Sequence, residues 1–229
     1  MTDTRGIHRN SGIAFPVALW LSLPFLMACE KIPEPEGAQT RQQISSSGQP
    51  LTVGVFTFKV PVGWQVLSGP DEGAAKREIE KSVQQMITEF GRQSGSRQGL
   101  LGLEAFRAVR IAEKGGWFIV YTVRIPPQQD YLATMERDQR EKLSWGQQQG
   151  IVTKINEHAR RTMGDSEVIK VDTEMRGGGR NIGIYHWSPS ERGLVGTITV
   201  TLDRGQYERV RSSLDTVMES IQIVEGRQQ

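Results

Sequence analysis

The sequence has few of the residues that build catalytic, metal and redox centres. Its 229 residues include one cysteine, Cys29, and three histidines. One cysteine cannot form a disulfide within the chain, and the histidines do not stand at the HxxxH or HExxH spacing of zinc sites. The CxxC, P-loop and GxSxG motifs are also missing. The sequence therefore predicts no catalytic residue, no metal site and no cofactor, although it leaves open an enzyme whose residues are distant in sequence.

The sequence also lacks an excess of either charge. It has 28 basic and 26 acidic residues, which gives a formal net charge of +2, and charged residues make up 24% of the chain. Proteins that bind nucleic acids by electrostatic attraction carry a clear basic excess or a basic face. The near balance of charge therefore disfavours a nucleic acid as the partner.

Long apolar segments are absent except for one near the start, at residues 12–28. Arg5 and Arg9 precede this run, as basic residues precede the apolar part of a secretory signal. A helix over the run would span about 26 Å, which is less than the roughly 30 Å of a bilayer core, and its two prolines would interrupt it. We therefore expect residues 1–28 to be a signal peptide, with an uncleaved signal anchor as the alternative.

The apolar run ends in Leu26-Met27-Ala28-Cys29, which resembles the lipobox of bacterial lipoproteins. In that family the signal is cut before the cysteine, whose thiol receives a diacylglycerol and whose new amino group is often acylated with a fatty acid such as palmitate. The resemblance implies that Cys29 is the lipid attachment site of a membrane-anchored envelope protein; a buried structural thiol is the alternative. Glu30 follows where an aspartate would favour the inner membrane, so the expected location is the outer membrane, facing the periplasm.

The segment after the anchor has the composition of a tether. Residues 29–50 are rich in Pro, Glu, Gln, Ser and Gly, and Ile32 and Ile44 are their only sizeable apolar side chains beyond the cysteine. Such a chain behaves as a flexible coil, here about 25 Å from end to end on average. The remaining residues, 51–229, are enough for one domain that buries close to 70% of its unfolded surface.

Hydrophobic periodicity in residues 51–229 predicts strands, hairpins and amphipathic helices. The predicted strands are 53–60, 64–66, 103–112, 117–125, 168–176, 181–188, 194–202 and 220–224. The predicted helices are 74–90, 131–161 with a break near Gly146 or Gly150, and 207–218. Hairpins imply antiparallel pairing, and amphipathic helices need an apolar face to cover. The predicted fold class is therefore α/β, an antiparallel sheet flanked by helices.

The two ends of this domain resemble a known family. The run FTFKVPVGW, residues 56–64, and the closing run TITVTLDRGQYERVRSSLDTVMESIQIV are similar to the start and the end of PsbP-like and DcrB-like domains. The resemblance implies an α/β/α sandwich around an antiparallel sheet, and it brings no catalytic or metal-binding motif with it. Within this pattern we expect Trp64 to be a core aromatic, since tryptophan is highly buried on average.

Two further features are candidate sites with a plainer interpretation. His158 lies in the charged segment KINEHARR, predicted as helix, and His186 lies on a predicted strand; both are expected to be surface or half-buried imidazoles. Three glycines stand between Arg176 and Arg180, where they could cradle an anion. A hairpin loop is the favoured interpretation, because the P-loop ending and a following helix are missing.

These observations favour a binding protein over an enzyme. We expect a lipid-anchored envelope protein whose non-catalytic α/β domain binds another envelope protein. A hydrolase or a small-ligand-binding lipoprotein is the alternative. That alternative would require a deep pocket in which polar groups and strongly shifted titratable residues converge.

Overall fold

The structure, a computed structural model, describes residues 48, 50–94, 102–111, 116–124, 131–188 and 193–224. The predicted signal, Cys29 and nearly all of the predicted tether lie outside these residues. The helices are α1 (Gly69–Ser94), α2 (Tyr131–Gln148) and α3 (Arg204–Ser220). The strands are β1 (Pro50–Val53), β2 (Phe56–Lys59), β3 (Gln65–Val66), β4 (Gly102–Arg110), β5 (Trp117–Arg124), β6 (Val152–Met163), β7 (Ser166–Met175), β8 (Arg180–Ser188), β9 (Leu194–Leu202) and β10 (Gln222–Ile223). None of the helices in the described part is long and apolar enough to cross a membrane.

The strands form two antiparallel sheets. The large sheet has seven strands in the order β3-β4-β5-β9-β8-β7-β6, and the small sheet has three in the order β1-β2-β10. Two of the pairs are the predicted hairpins, β4 with β5 and β7 with β8. Strand β9 lies between β5 and β8 and pairs with both along its whole length, which places the most apolar strands at the centre of the sheet.

Each face of the large sheet is covered by a different layer. Helices α1 and α2 cover one face, where Ile79 and Met135 share one core cluster with Ile119. Helix α3 and the small sheet cover the other face, where Leu214 and Phe58 pack in the second core cluster. The predicted antiparallel sheet flanked by helices is therefore confirmed, with the small sheet as an added part of one outer layer.

Two details of the first predicted elements need comment. Helix α1 is confirmed and Ile79 is buried, whereas for the other apolar residues that predicted it the structure describes the backbone and not the side chains. They are Val83, Met86, Ile87 and Phe90. Trp64 is 9% exposed and packs in the core, with its ring centroid 5.8 Å from that of Phe118, as predicted.

The prediction of helix through residues 152–161 was wrong. Helix α2 ends at Gln148, Gly150 has a φ of +63°, and the chain then runs as β6 along β7. Two register shifts in β6, between Val152 and Lys154 and between Ile155 and Glu157, break the alternation of apolar and polar residues. A bulge adds one residue to a strand, so the period of two is lost from the sequence.

The prediction of one continuous strand over residues 53–60 was also wrong. The chain turns at Gly54, whose φ is +57°, and β1 and β2 form a tight hairpin in which Val53 faces Phe56. A Cβ atom on Gly54 would lie 1.9 Å from Thr122 Oγ1, so the turn is pressed onto β5. Apolar residues on both sides of this turn hid it, because its only turn signal is one glycine.

Candidate functional site

One edge of the large sheet is only partly covered. Strand β3 is the edge strand, and it pairs with β4 only at Val109 and Arg110. One more bond follows, from the amide of Leu67 to the carbonyl of Ala108 at 2.9 Å. Within the described ranges no strand pairs with the outer edge of β4 from Gly102 to Arg107.

A groove of about 560 Å³ runs along this uncovered edge. Residues 103–107 of β4 form its floor, the start of α1 forms one wall, and the β1–β2 turn forms the other. Its lining residues are Thr52, Val53, Gly54, Gly69, Glu72, Gly73, Lys76, Leu103, Glu104, Ala105, Phe106 and Arg107. The volume is in the range of ligand pockets in proteins, roughly 300 to 1,000 Å³. We name this site the β4 groove.

The register of β4 shows which backbone groups face the groove. In an antiparallel strand the amide and the carbonyl of one residue point to the same side, and the side alternates along the strand. Because the Ala108 carbonyl points to Leu67, the backbone groups of Phe106 also point outward, away from β5. The same alternation, carried past the bulge at Glu104, turns the backbone of Leu103 outward as well.

One side chain covers part of this edge. The Arg107 guanidinium donates to the Phe106 carbonyl at 3.0 Å and to the Glu72 carboxylate at 2.7 Å, which links β4 to the start of α1. Both side chains are partly exposed, and an ion pair of this kind contributes only about 0.2 to 1 kcal/mol. The Arg107–Glu72 bridge is therefore weak enough for a bound molecule to displace.

Glycines give the groove its width. A Cβ atom on Gly69 would have no heavy atom within 4 Å, and one on Gly73 would meet only the Arg77 guanidinium at 3.5 Å. The wall formed by α1 therefore has no side chain at these two positions, which line the groove beside β4. Glycine at such positions lets another backbone come close.

A second group of polar residues lies buried under α2. Asp138, Gln139 and Lys142 are each about 5% exposed or less, and they occupy the sheet-facing side of the helix. The Lys142 Nζ atom is buried and has no hydrogen-bond partner among the residues that the structure describes. Burial lowers the pKa of Lys142 to about 7, and the nearby Asp138 only partly opposes this shift. Burial also raises the pKa of Asp138 to about 6, against the effect of Lys142.

Three tyrosines lie close to this group and remain protonated near neutral pH. Burial raises the pKa of Tyr121 to about 12, and it raises the pKa values of Tyr131 and Tyr185 further still. Asp138 adds to the shift of Tyr131. A phenol with a raised pKa is a poor base at pH 7, so these side chains act as buried, neutral groups.

The cavity next to Lys142 is too small for an organic substrate. Its volume is about 40 Å³, and its walls come from α2, the following turn and strands β6 to β8. By this measure a cavity of that size holds two or three water molecules. It shares no lining residue with the β4 groove. The groove and the titratable groups with shifted pKa values are therefore two separate sites.

The glycine run at residues 177–179 is a hairpin turn between β7 and β8, as predicted. Arg176 donates to the carbonyls of Gly150 and Gln149, which follow α2. Arg180 makes two bonds to the Asp172 carboxylate. Both guanidinium groups are bound within the protein, so they are not directed at a shared anion site.

The two histidines are placed differently from the prediction. His158 is half-buried, as expected, but it lies on β6 opposite Val171 and not on a helix. Burial is the main cause that lowers its pKa. His186 is buried on β8, with Nδ1 3.1 Å from the Glu167 carbonyl, so the expectation of a surface or half-buried imidazole was wrong for it. The described residues contain no group of three His, Cys, Asp or Glu side chains that could hold a metal ion.

Sequence reasoning missed both the β4 groove and the buried group under α2. The buried group had a signal: Met135, Gln139, Lys142 and Gly146 recur at helical spacing, which places Lys142 on the apolar side of α2. The groove had none, because it depends on where β3 pairs along β4.

Comparisons with known proteins give structural similarity but no match in sequence. No family model matches the sequence, and no curated protein matches it at a significant level. The solution structure of cyanobacterial PsbP (CyanoP) from Synechocystis sp. PCC 6803 is similar over 83% of this chain and 99% of that chain, with 14% identity and a TM-score of 0.44. CyanoP is named as a PsbP, the type of domain that the two ends of this sequence resemble; the similarity is distant and transfers no site or activity.

Proposed function

We propose that this chain is a lipid-anchored binding protein of the bacterial cell envelope, attached through Cys29, whose α/β domain holds another envelope protein in the β4 groove. The groove is the observation that carries the binding part of the proposal. It is open, it is as large as a ligand site, and its floor is an incompletely paired sheet edge. The sequence carries the anchor, through the lipobox-like run before Cys29.

A binding role fits this molecule better than hydrolysis or small-ligand capture. Hydrolysis or small-ligand capture would need titratable groups with shifted pKa values inside a deep pocket. In the described residues, the lysine whose pKa is strongly lowered lies beside a cavity of about 40 Å³. The β4 groove is open to solvent and shares no lining residue with that cavity.

The anchor is tested by replacing its thiol. Cys29→Ser should abolish incorporation of an alkyne-labelled palmitate into the full chain and leave the precursor uncut, because serine cannot form the thioether. In-gel fluorescence and the mass of the N-terminal peptide measure both effects. Ser46→Ala in the tether is the matched control and should be labelled like the wild type. Full labelling of the Cys29→Ser variant would disprove the lipoprotein assignment.

The groove is tested by filling it from the wall formed by α1. Gly73→Tyr should reduce partner binding more than tenfold, because the new ring enters the groove while the helix tolerates the change. Gly73→Ala is the matched control; it adds one methyl group and stabilises α1 by about 1 kcal/mol, so it should bind like the wild type.

Binding is measured with a photoreactive benzophenone residue at Lys76, whose half-exposed side chain lines the groove. Irradiated membranes should contain a crosslinked protein that Gly73→Tyr removes and Gly73→Ala keeps. The same probe at Glu208, exposed on α3 across the sheet, should not give that product. A product that is identical in both Gly73 variants, or that appears equally from Glu208, would refute the groove as the binding site.

A further inference from the structure

We infer that the β4 groove takes an extended peptide segment of its partner, which adds as a strand to the edge of β4 in line with β3 and antiparallel to β4. This inference rests on the proposed function and specifies the chemistry of the partner. It would place about five residues of the partner along Leu103 to Arg107, a length of roughly 17 Å.

The first support is the chemistry of the floor. The outward backbone groups of Leu103 and Phe106 face the groove and, in the described part of the chain, belong to no strand pair on that side. The Phe106 carbonyl accepts from the Arg107 side chain, a contact that a competing amide can replace. An extended backbone supplies amides and carbonyls at the spacing of such an edge, as in known cases of strand addition.

The second support is the path of the chain. Residues 65–67 follow the edge of β4, and the chain then leaves it at Gly69, where φ is +62° and α1 begins. The next place on the edge, opposite Phe106, is where a longer β3 would lie. A partner strand can continue β3 there without displacing any strand in the described ranges.

The third support is the shape and charge of the walls. Gly69 and Gly73 leave room for a second backbone between the outer layers. The charged lining residues are two acidic and two basic side chains, Glu72, Glu104, Lys76 and Arg107. A lining without net charge favours recognition through the main chain over capture of a strongly charged ligand. The weak Arg107–Glu72 bridge would yield the Phe106 carbonyl to a peptide amide.

The experiment uses the full-length chain in detergent and a library of random linear nonapeptides displayed on phage. Peptides are selected on the wild type and depleted on Gly73→Tyr. The affinity of synthetic copies is then measured by fluorescence anisotropy on two variants. Leu103→Ala shortens the side chain and keeps the outward amide; Leu103→Pro removes that amide and leaves the bonds to β5 in place.

Strand addition predicts at least tenfold weaker binding to Leu103→Pro than to Leu103→Ala. It also predicts at least tenfold slower hydrogen exchange of the Leu103 and Phe106 amides in the wild-type complex. If Leu103→Pro does not unfold cooperatively, its affinity is not used, and the hydrogen exchange of the wild-type complex alone tests strand addition. Equal affinity for the two variants, unchanged exchange at both amides, or failure to select any peptide would overturn strand addition. Loss of the membrane crosslink in Gly73→Tyr would still uphold the proposed function in each of those cases.

Discussion

Trp64→Ala should lower the free energy of unfolding by about 3 to 5 kcal/mol, the usual cost of removing a large buried aromatic ring. Trp64 is 9% exposed and contacts the ring of Phe118, which is fully buried at the centre of the large sheet. Its loss leaves a cavity between the turn after β2 and that sheet, and backbone on both sides limits how far the cavity can collapse. Urea denaturation followed by circular dichroism measures the change.

Val62 provides the matched control for this experiment. It lies two residues from Trp64 and is 80% exposed, so Val62→Ala should change stability by less than about 0.5 kcal/mol. If Trp64→Ala is as stable as Val62→Ala, the tryptophan does not belong to the core, and the packing of the turn onto β5 is wrong as described.

Lys142→Met should raise the free energy of unfolding near pH 7 by about 1 to 4 kcal/mol, because replacing a poorly compensated buried charge with an apolar side chain of similar length is often stabilising. Lys142 is 4% exposed, and within the described ranges its Nζ atom has no hydrogen-bond partner. The side chain already lines the wall of an apolar cavity together with Leu143 and Val152, and methionine adapts well to such a space.

The pH dependence gives this prediction a second readout. The pKa of Lys142 is about 7 in the folded protein and about 10.5 ordinarily, so the unfolded chain binds more protons between these values. Stability therefore rises with pH from about 7 to about 10, and below pH 7 the cost of the buried charge is fully present. Asp138 has the opposite effect on the pH dependence of stability. Its pKa is raised from 3.8 to about 6, so stability falls as pH rises from about 4 to about 6.

In Lys142→Met the rise in stability above pH 7 should therefore be lost, whereas Lys154→Met should keep this rise. Lys154 lies on β6, is well exposed and controls for removing one positive charge. Thermal unfolding between pH 5 and pH 10 measures both. A Lys142→Met protein that is less stable than the wild type at pH 7, or that retains the full rise, would show that the ammonium is better compensated than its surroundings indicate.

The sequence was a good guide where each element carried its own local pattern. Strand β9 was predicted with its observed ends because Leu194–Leu202 is a continuous β-type run. Helix α3 was predicted from its apolar spacing, and a capping box of Asp203 and Gln206 starts it in the structure. Strand β6 was missed because it is an edge strand held by ion pairs. Arg160 bonds Glu136 of α2, and Lys170 of β7 pairs with Glu157. In a strand of this kind charged residues replace the apolar face that periodicity detects.

The site was harder to predict than the fold because it is defined by a part of β4 whose outer edge pairs with no described strand. Nothing local to Leu103 or Phe106 shows that β3 stops after Val66. The predicted strand 64–66 has the right end, but its pairing with Val109 and Arg110, and not with the first half of β4, depends on tertiary packing. Lys142 differs in this respect, since helical periodicity in the sequence is enough to place a charged residue on the apolar side of a helix.

The small sheet joins the beginning of the domain to its end, and this bears on how the chain folds. Thr57 pairs with Gln222, and the Lys59 amide bonds the Ser220 hydroxyl, 161 residues further along. Contacts between such distant residues form late, because a large loop must close before they contribute. Strand β2 therefore has no β10 beside it until residues 220–224 have been synthesised, so the small sheet stays incomplete until then. A chain shortened before Ile221 should lose order around Phe56, which is distant in sequence from the deletion but adjacent to β10 in the fold.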